Sequence, residues 1–333
     1  MRWRLLTGLV LTLAVGWSVW WLVGSRMQQS ALEDWLSERQ AEGWQAEAGD
    51  ITTRGFPVRF DTRLTDLRLA NPGAGWAWRS PHLDILRRAH DPLHAAVSLP
   101  SGQVLAVPGT RLDLEADSLQ GSLRFVPGTA LALERLSLEG RALSLTSSEG
   151  WRAEAEALEL HVRSDGAAGR YAVLARAEAV ALPDPLRALL DPGRSLAAVA
   201  DSAVFDARVT FDRPLDRRSA EAADWPAVAQ LDLTSVALRW GDLVLELVGG
   251  VVADDAGLAS GQIDLRAENW QRILEMAVEA GWLGGDVARG LEFALSLMAR
   301  SRDGRSVLEV PVVLRGGLMR IGPVPVGAAP RLR

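Results

Sequence analysis

The chain has 333 residues, 48% apolar and 23% charged, which is long enough for a sizeable core and too apolar to stay disordered. A net charge of −6 without an Arg-dense stripe argues against a nucleic-acid partner, because phosphate binding needs a concentrated basic surface. The absence of cysteine removes disulfide frameworks, thiolate catalysis and cysteine-based zinc sites.

Leu5 to Val23 is an uncharged run of 19 residues. That is close to the ~20 that a helix rising ~1.5 Å per residue needs to cross a ~30 Å hydrocarbon core. Arg2 and Arg4 precede it, whereas Arg26 follows it and is soon offset by Glu33 and Asp34. The positive-inside rule then keeps residues 1–4 in the cytoplasm and predicts a single-pass inner-membrane protein whose main domain is periplasmic. Trp17, Trp20 and Trp21 fall at i, i+3 and i+4 near the outer end of the run, where indole rings favour the headgroup level, and Trp3 is their counterpart at the inner end. A signal peptide cut after Ser25 is the alternative, since Val23 and Ser25 are small. Against it, the run exceeds the usual apolar core of ~7–15 residues.

Residues 27–43 read as an amphipathic helix with Leu32, Trp35, Leu36 and Gln40 on one face and Gly43 as its stop. Beyond it the period becomes two, in Thr62–Ala70, Arg111–Ala116, Ala157–Arg163 and Gln230–Trp240. Such alternation predicts strands with one apolar and one polar face. Turn signals recur at Pro100–Gly102, Pro108-Gly109, Pro127-Gly128, Gly140, Gly150, Asp165-Gly166, Gly241-Asp242 and Gly249-Gly250, a spacing that suits a meander.

Two helical interruptions are expected: one over Pro185–Ala200, broken by Asp191-Pro192-Gly193, and one over Glu268–Arg300, split by Gly284-Gly285 into a helical hairpin or a kinked helix. Gly316-Gly317 reads as a two-residue hairpin turn between the last strands. The predicted fold class is therefore mostly β with some α: a single N-terminal transmembrane helix followed by a long curved antiparallel sheet with accessory helices. Residues 44–333 form a periplasmic β-rich domain, either whole or in two lobes with a seam near Ala200.

Chemistry-bearing constellations are sparse. His90 and His94 stand at i, i+4, a metal-ligand spacing on a helix, but Pro92 between them breaks the helix that the site would require. Nucleophile-elbow, zinc-protease, P-loop and dinucleotide motifs do not occur, and Asp254-Asp255 beside Gly257 reads as a solvated turn. No catalytic, metal-binding or cofactor-binding residue is assigned, and the chain is not expected to be an enzyme. Trp76, Trp78, Trp151, Trp225, Trp240, Trp270 and Trp282 read first as core or membrane-proximal packing and second as a carbohydrate or lipid platform.

The segment Arg54-Gly55-Phe56-Pro57-Val58-Arg59-Phe60, following a short anchor and a helix, resembles an uncharacterised alphaproteobacterial family of membrane-anchored proteins catalogued as a domain of unknown function. Trp78 followed by Pro81, the Pro108-Gly109 turn, and Gly316-Gly317-Leu318 leading to Gly322-Pro323-Val324-Pro325 extend the resemblance over nearly the whole chain. In motif terms its residues are Gly55, Phe56, Pro57, Arg59 and Phe60. Read physically, Gly55 marks a bend, Phe56 packs inward and Pro57 ends ladder pairing on one side.

The order of parts also looks like the N-terminal portion of AsmA-like envelope proteins, which implies a twisted sheet with an apolar trough and a link to phospholipid movement. The resulting expectation is lipid handling or lipid sensing in envelope maintenance, with Leu112, Leu114, Leu158 and Leu160 as candidate trough residues. Partners would be the inner membrane, phospholipid and other envelope proteins. The alternative is an envelope scaffold with a closed core and no lipid ligand.

Overall fold

The computed structural model describes residues 2–220, 225–302, 305–322 and 324–332. Among them are four α-helices and nineteen strands, with antiparallel pairing in every register given below, so the chain is mostly β with a long antiparallel sheet. The contacts divide the chain into two compact units. The first holds residues 1–124 and 145–150, and the second holds 125–144 and 151–333. Ala200, where a seam was expected, lies inside a strand of the second unit.

In the first unit, helix α1 (Arg2–Ala41) runs unbroken through both segments read separately from the sequence. Its 40 residues make it about 60 Å long at ~1.5 Å per residue. The part from Thr7 is the one helix among the described residues long and apolar enough to cross a membrane, and only 6% of its most apolar window is buried.

The strands of this unit are β1 (Gln45–Glu47), β2 (Ile51–Arg54), β3 (Arg59–Asn71), β4 (Trp76–Arg88), β5 (Asp91–Leu99), β6 (Gln103–Val107), β7 (Thr110–Glu115) and β8 (Ser118–Phe125). β3 pairs with β1, β2 and β4; β4 pairs with β5 and β6, β6 with β7, and β5 with β8. The C-terminal half of α1 covers the apolar face of this sheet. Leu32 and Leu36 pack on Ala46, Leu64, Leu67 and Leu69, and Trp76, Trp78, Leu83 and Ile85 close the sides.

The second unit takes most of β9 (Leu133–Ser147), then β10 (Arg152–Ser164), β11 (Arg170–Ala181), helix α2 (Asp184–Leu190), β12 (Val199–Phe211), β13 (Val228–Trp240), β14 (Leu243–Ala253) and β15 (Ala259–Glu268). Helices α3 (Gln271–Glu279) and α4 (Gly285–Ser296) and strand β16 (Arg300–Arg302) are inserted before β17 (Arg305–Arg315), β18 (Leu318–Ile321) and β19 (Val324–Ala328). β10 to β15 form a meander, and β17 takes the place beside β15, so the insertion leaves the sheet continuous.

The second interruption consists of two separate helices, α3 and α4, rather than one kinked helix, and Gly284 caps the start of α4. The first helical interruption stops at the expected break: α2 ends at Leu190, just before Asp191-Pro192-Gly193, but the helix does not resume, and β12 begins at Val199 after an irregular segment. Val107 pairs with Thr110, Trp240 with Leu243 and Arg315 with Leu318, so Pro108-Gly109, Gly241-Asp242 and Gly316-Gly317 are two-residue hairpin turns. Gly140 and Gly249-Gly250 are not turns but lie inside β9 and β14. A Cβ at Gly249 would collide with the backbone at Gln262 on the neighbouring strand, which makes that glycine a point of close strand approach.

Candidate functional site: an aromatic junction and a half-open apolar face

Two features read apart in the sequence meet in the first unit. The Trp residues near the outer end of the apolar run stand against the Arg54–Phe60 segment. Trp17 donates its indole N–H to the carbonyl of Pro57 at 2.7 Å, and Trp21 donates to the carbonyl of Arg59 at 2.8 Å. The Trp21 ring stacks on Phe60 with centroids 5.7 Å apart and planes 9° from parallel, and it meets Phe56 edge-on at 5.5 Å. Trp20 lies 5.9 Å from Phe60. Offset and edge-on pairs of this kind each contribute about 0.5–1.5 kcal/mol beyond the area they bury.

Glycine permits the approach twice. Gly24 faces Phe60 so closely that a Cβ would stand 2.9 Å from the ring. Gly55 has φ +105° and would place a Cβ 2.9 Å from the Arg59 carbonyl oxygen. Phe56, expected to pack inward, is instead 55% exposed, and Phe60 takes the inward place.

Further along, Gln28 of α1 donates to Thr62 at 2.6 Å, and Thr62 shares a 2.9 Å bond with Thr53. Thr62 is buried, so this network satisfies polar groups that would otherwise be stranded beneath the helix. Trp78 is similarly tied down: it donates to Gln103 at 3.0 Å, and Gln103 donates to Ser80 at 2.9 Å.

The second feature lies in the second unit. Strand register brings Leu160, Ala175, Phe205, Val236, Leu247, Leu265 and Val310 opposite one another, one from each of seven strands. A parallel row two residues away runs Leu158, Ala177, Ala203, Leu238, Leu245, Ala267 and Leu308. The opposite face at the same level carries Glu159, Arg176, Val204, Ala237, Glu246, Arg266 and Glu309. There Arg266 donates to Glu246 and Glu268, each at 2.9 Å, and the bond it donates to Glu246 is the main cause that holds its guanidinium above its ordinary pKa.

The apolar rows are unevenly covered. At the β15/β17 edge, Trp270, Leu291 and Leu295 bury Ala267, Leu308 and Val310. At one strand end, Leu196, Ala200, Trp240 and Leu243 form a cluster with Ile273 and Met276. Between these caps every member of the first row from Leu160 to Leu265 is only half-buried. A separate cleft of about 460 Å³ between α3 and α4 is flanked by Glu275, Glu279 and Glu292 and lies outside the rows.

Leu158 and Leu160 thus belong to the half-open face, whereas Leu112 and Leu114 are half-buried members of the first unit. Leu112 faces Leu105, whose row continues through Trp78 to Leu69 beneath α1. The other row members were not identified from sequence, because cross-strand register is set by pairing partners far along the chain.

His90 and His94 flank the start of β5 rather than sharing a helix, and His94 stands 3.7 Å from Asp91. Among the described residues no group of three or more His, Cys, Asp or Glu is placed to hold a metal ion.

The family model described as an uncharacterized protein conserved in bacteria, DUF2125, matches residues 20–330. The chain belongs to this family. Comparisons with curated proteins and with solved structures give no match. The DUF2125 match begins at Trp20 and so takes in part of the aromatic junction together with both units.

Proposed function

We propose that this DUF2125 protein is a non-enzymatic, single-pass inner-membrane protein that holds its β-rich domain in the periplasm and accommodates phospholipid acyl chains on the apolar face of its second unit. The observation that carries this reading is the row from Leu160 to Leu265, apolar on every strand yet only half-buried. The six strands of this row at ~4.8 Å spacing make the half-buried face about 24 Å wide, more than the ~15 Å that one leaflet's chains contribute to a ~30 Å core. Each methylene moved from water onto such a surface contributes about 0.8 kcal/mol.

The contrast between the units supports the same reading, since α1 closes the first sheet whereas the row from Leu160 to Leu265 stays half-buried on every strand. Retention of the anchor is supported by packing: cleavage after Ser25 would remove Trp17, Trp20 and Trp21 and strip Phe56 and Phe60 of their ring partners. Orientation with the N-terminus in the cytoplasm rests on Arg2 and Arg4. An alphaproteobacterial origin and kinship with AsmA-like envelope proteins fit this picture and are part of the proposal.

The scaffold reading has one observation in its favour. Phe293 on α4 and Leu297 just after it are 70% and 75% exposed, a surface that suits another envelope protein.

The deciding experiment is mass spectrometry of lipids that copurify with the detergent-extracted protein, combined with a photoreactive amino acid at Phe205. Stoichiometric phospholipid crosslinked at that position supports the lipid reading. Lipid-free protein that never crosslinks there supports the scaffold.

A further inference from the structure

We infer that the Gly55–Arg59 loop is a second membrane contact, dipping Phe56 and Val58 into the interfacial layer of the leaflet from which α1 emerges. The inference rests on the reading of α1 as a membrane anchor, and its geometry follows from the junction. Trp17 holds the Pro57 carbonyl at 2.7 Å, and Trp17 is six residues short of Val23, the end of the uncharged run. Six residues of helix rise about 9 Å. A headgroup layer is only about 5–8 Å thick on each side. A helix that spans with this run in the bilayer therefore carries the loop at least down to the boundary between headgroups and acyl chains.

The loop is built for that depth. Its outward side chains are apolar, with Phe56 55% and Val58 54% exposed. Its backbone is unusually well satisfied for an exposed turn. The Gly55 carbonyl accepts from the N–H of Val58 and Arg59, the Val58 carbonyl accepts from Ala89, and the Pro57 and Arg59 carbonyls accept from the two indoles. Water normally performs this service in a loop, and a backbone that must enter a water-poor layer has to obtain it from protein. Pro57 contributes no N–H that would need a partner.

Basic groups frame the tip. Arg54 precedes it, and Arg59 lies opposite Arg88 in the β3–β4 register, all three exposed. Arg59 also pairs with Asp61 at 2.8 Å. Guanidinium groups at this height complement lipid phosphates. The occupant is therefore an anionic phospholipid surface, and the two contacts together fix how the first unit stands on it, where a single helix would leave it free to swing.

The chain has no cysteine, so single labels can be placed without background. Val58→Cys, Phe56→Cys, Leu13→Cys and Ala74→Cys variants of the full chain would each carry an environment-sensitive fluorophore in phosphatidylglycerol-containing vesicles. Ala74 is exposed beyond the far end of β3, whose 13 residues extend about 40 Å at ~3.3 Å per residue. Quenching is then compared between aqueous iodide and lipids spin-labelled near the headgroup. The expected result is that the labels at 56 and 58 are quenched by the lipid and shielded at least fivefold from iodide relative to the label at 74. Val58 takes no part in the ring cluster, so its variant keeps the fold even if Phe56→Cys does not.

Iodide access at 58 equal to that at 74, with the label at 13 shielded from iodide, overturns the loop contact and leaves the anchor reading standing. Iodide access at 13 overturns both.

Discussion

Trp21 and Arg59, 38 positions apart, are joined by a 2.8 Å hydrogen bond from the indole N–H to the main-chain carbonyl. The bond fixes helix to sheet where α1 leaves its apolar run, and Phe60 stacked on the same indole removes the freedom to rotate about it. Trp21 is only 7% exposed. Trp21→Ala should therefore cost about 3–5 kcal/mol, the range for deleting a buried large aromatic. Trp21→Phe should recover part of the loss while leaving the Arg59 carbonyl without its donor. Denaturant unfolding in detergent would measure both, and a double cycle with Phe60→Leu should return a coupling of about 0.5–1.5 kcal/mol.

Gly55 offers a test of backbone rather than packing. Its φ of +105° is unfavourable for any residue with a Cβ, and that Cβ would press on the Arg59 carbonyl oxygen. Gly55→Ala should destabilise by about 1–3 kcal/mol. Because the Arg59 carbonyl is also the acceptor for Trp21, its displacement should shift the Trp21 fluorescence as well. An unchanged melting temperature would show that the loop relaxes freely.

Asp191 provides a pH-dependent signature. Its side chain is fully buried. Burial pushes the carboxyl pKa up, but N–H groups of Leu196 at 3.0 Å and Ser195 at 2.7 Å, the Ser195 hydroxyl at 2.9 Å and the nearby Arg187 guanidinium hold it below its ordinary value. A carboxyl lowered in the folded state binds its proton more weakly there than in the unfolded chain. Its stabilising effect is complete above the unfolded value of ~3.9 and disappears as pH falls through the lower folded value. Asp191→Asn should thus cost about 1–3 kcal/mol at pH 7, with the gap to wild type narrowing below pH ~4. Unfolding midpoints at the two pH values check this.

Much of the sheet was legible because period-two alternation survives even where it is interrupted. In β3 the leucines are Leu64, Leu67 and Leu69, a step of three followed by a step of two. Thr65 pairs with His82 and Leu67 with Ser80, so the register is unchanged across Asp66 and Pro81, and Asp66, at φ +46°, turns the backbone so that Leu67 returns to the face of Leu64. The step from Leu233 to Val236 in β13 is a β-bulge, since the register against β14 shifts by one residue there. Gly140 and Gly249 misled because a strand glycine carries the same composition signal whether it turns the chain or admits a neighbouring backbone. The aromatic junction was visible as two separate motifs, and their contact was not, because nothing local links residue 21 to residue 60.

The half-open face makes the sharpest functional prediction, because the two units supply an internal comparison. Leu64 is 3% exposed in the core closed by α1, whereas Leu247 sits in the middle of the half-buried row. Leu64→Asp should unfold the first unit, since an unpaired charge in a closed core costs several kcal/mol. Leu247→Asp and Leu160→Asp can hydrate from the open side, so each should lose less than about 2 kcal/mol on the polar-burial scale. The same changes should reduce phospholipid crosslinking at Phe205 by at least tenfold, because a carboxylate in the row faces the acyl chain. Thermal stability and crosslinking would be measured on each variant. If Leu247→Asp and Leu160→Asp unfold as completely as Leu64→Asp, and wild-type protein yields no crosslinked lipid, the second unit is a closed core and the scaffold reading takes over.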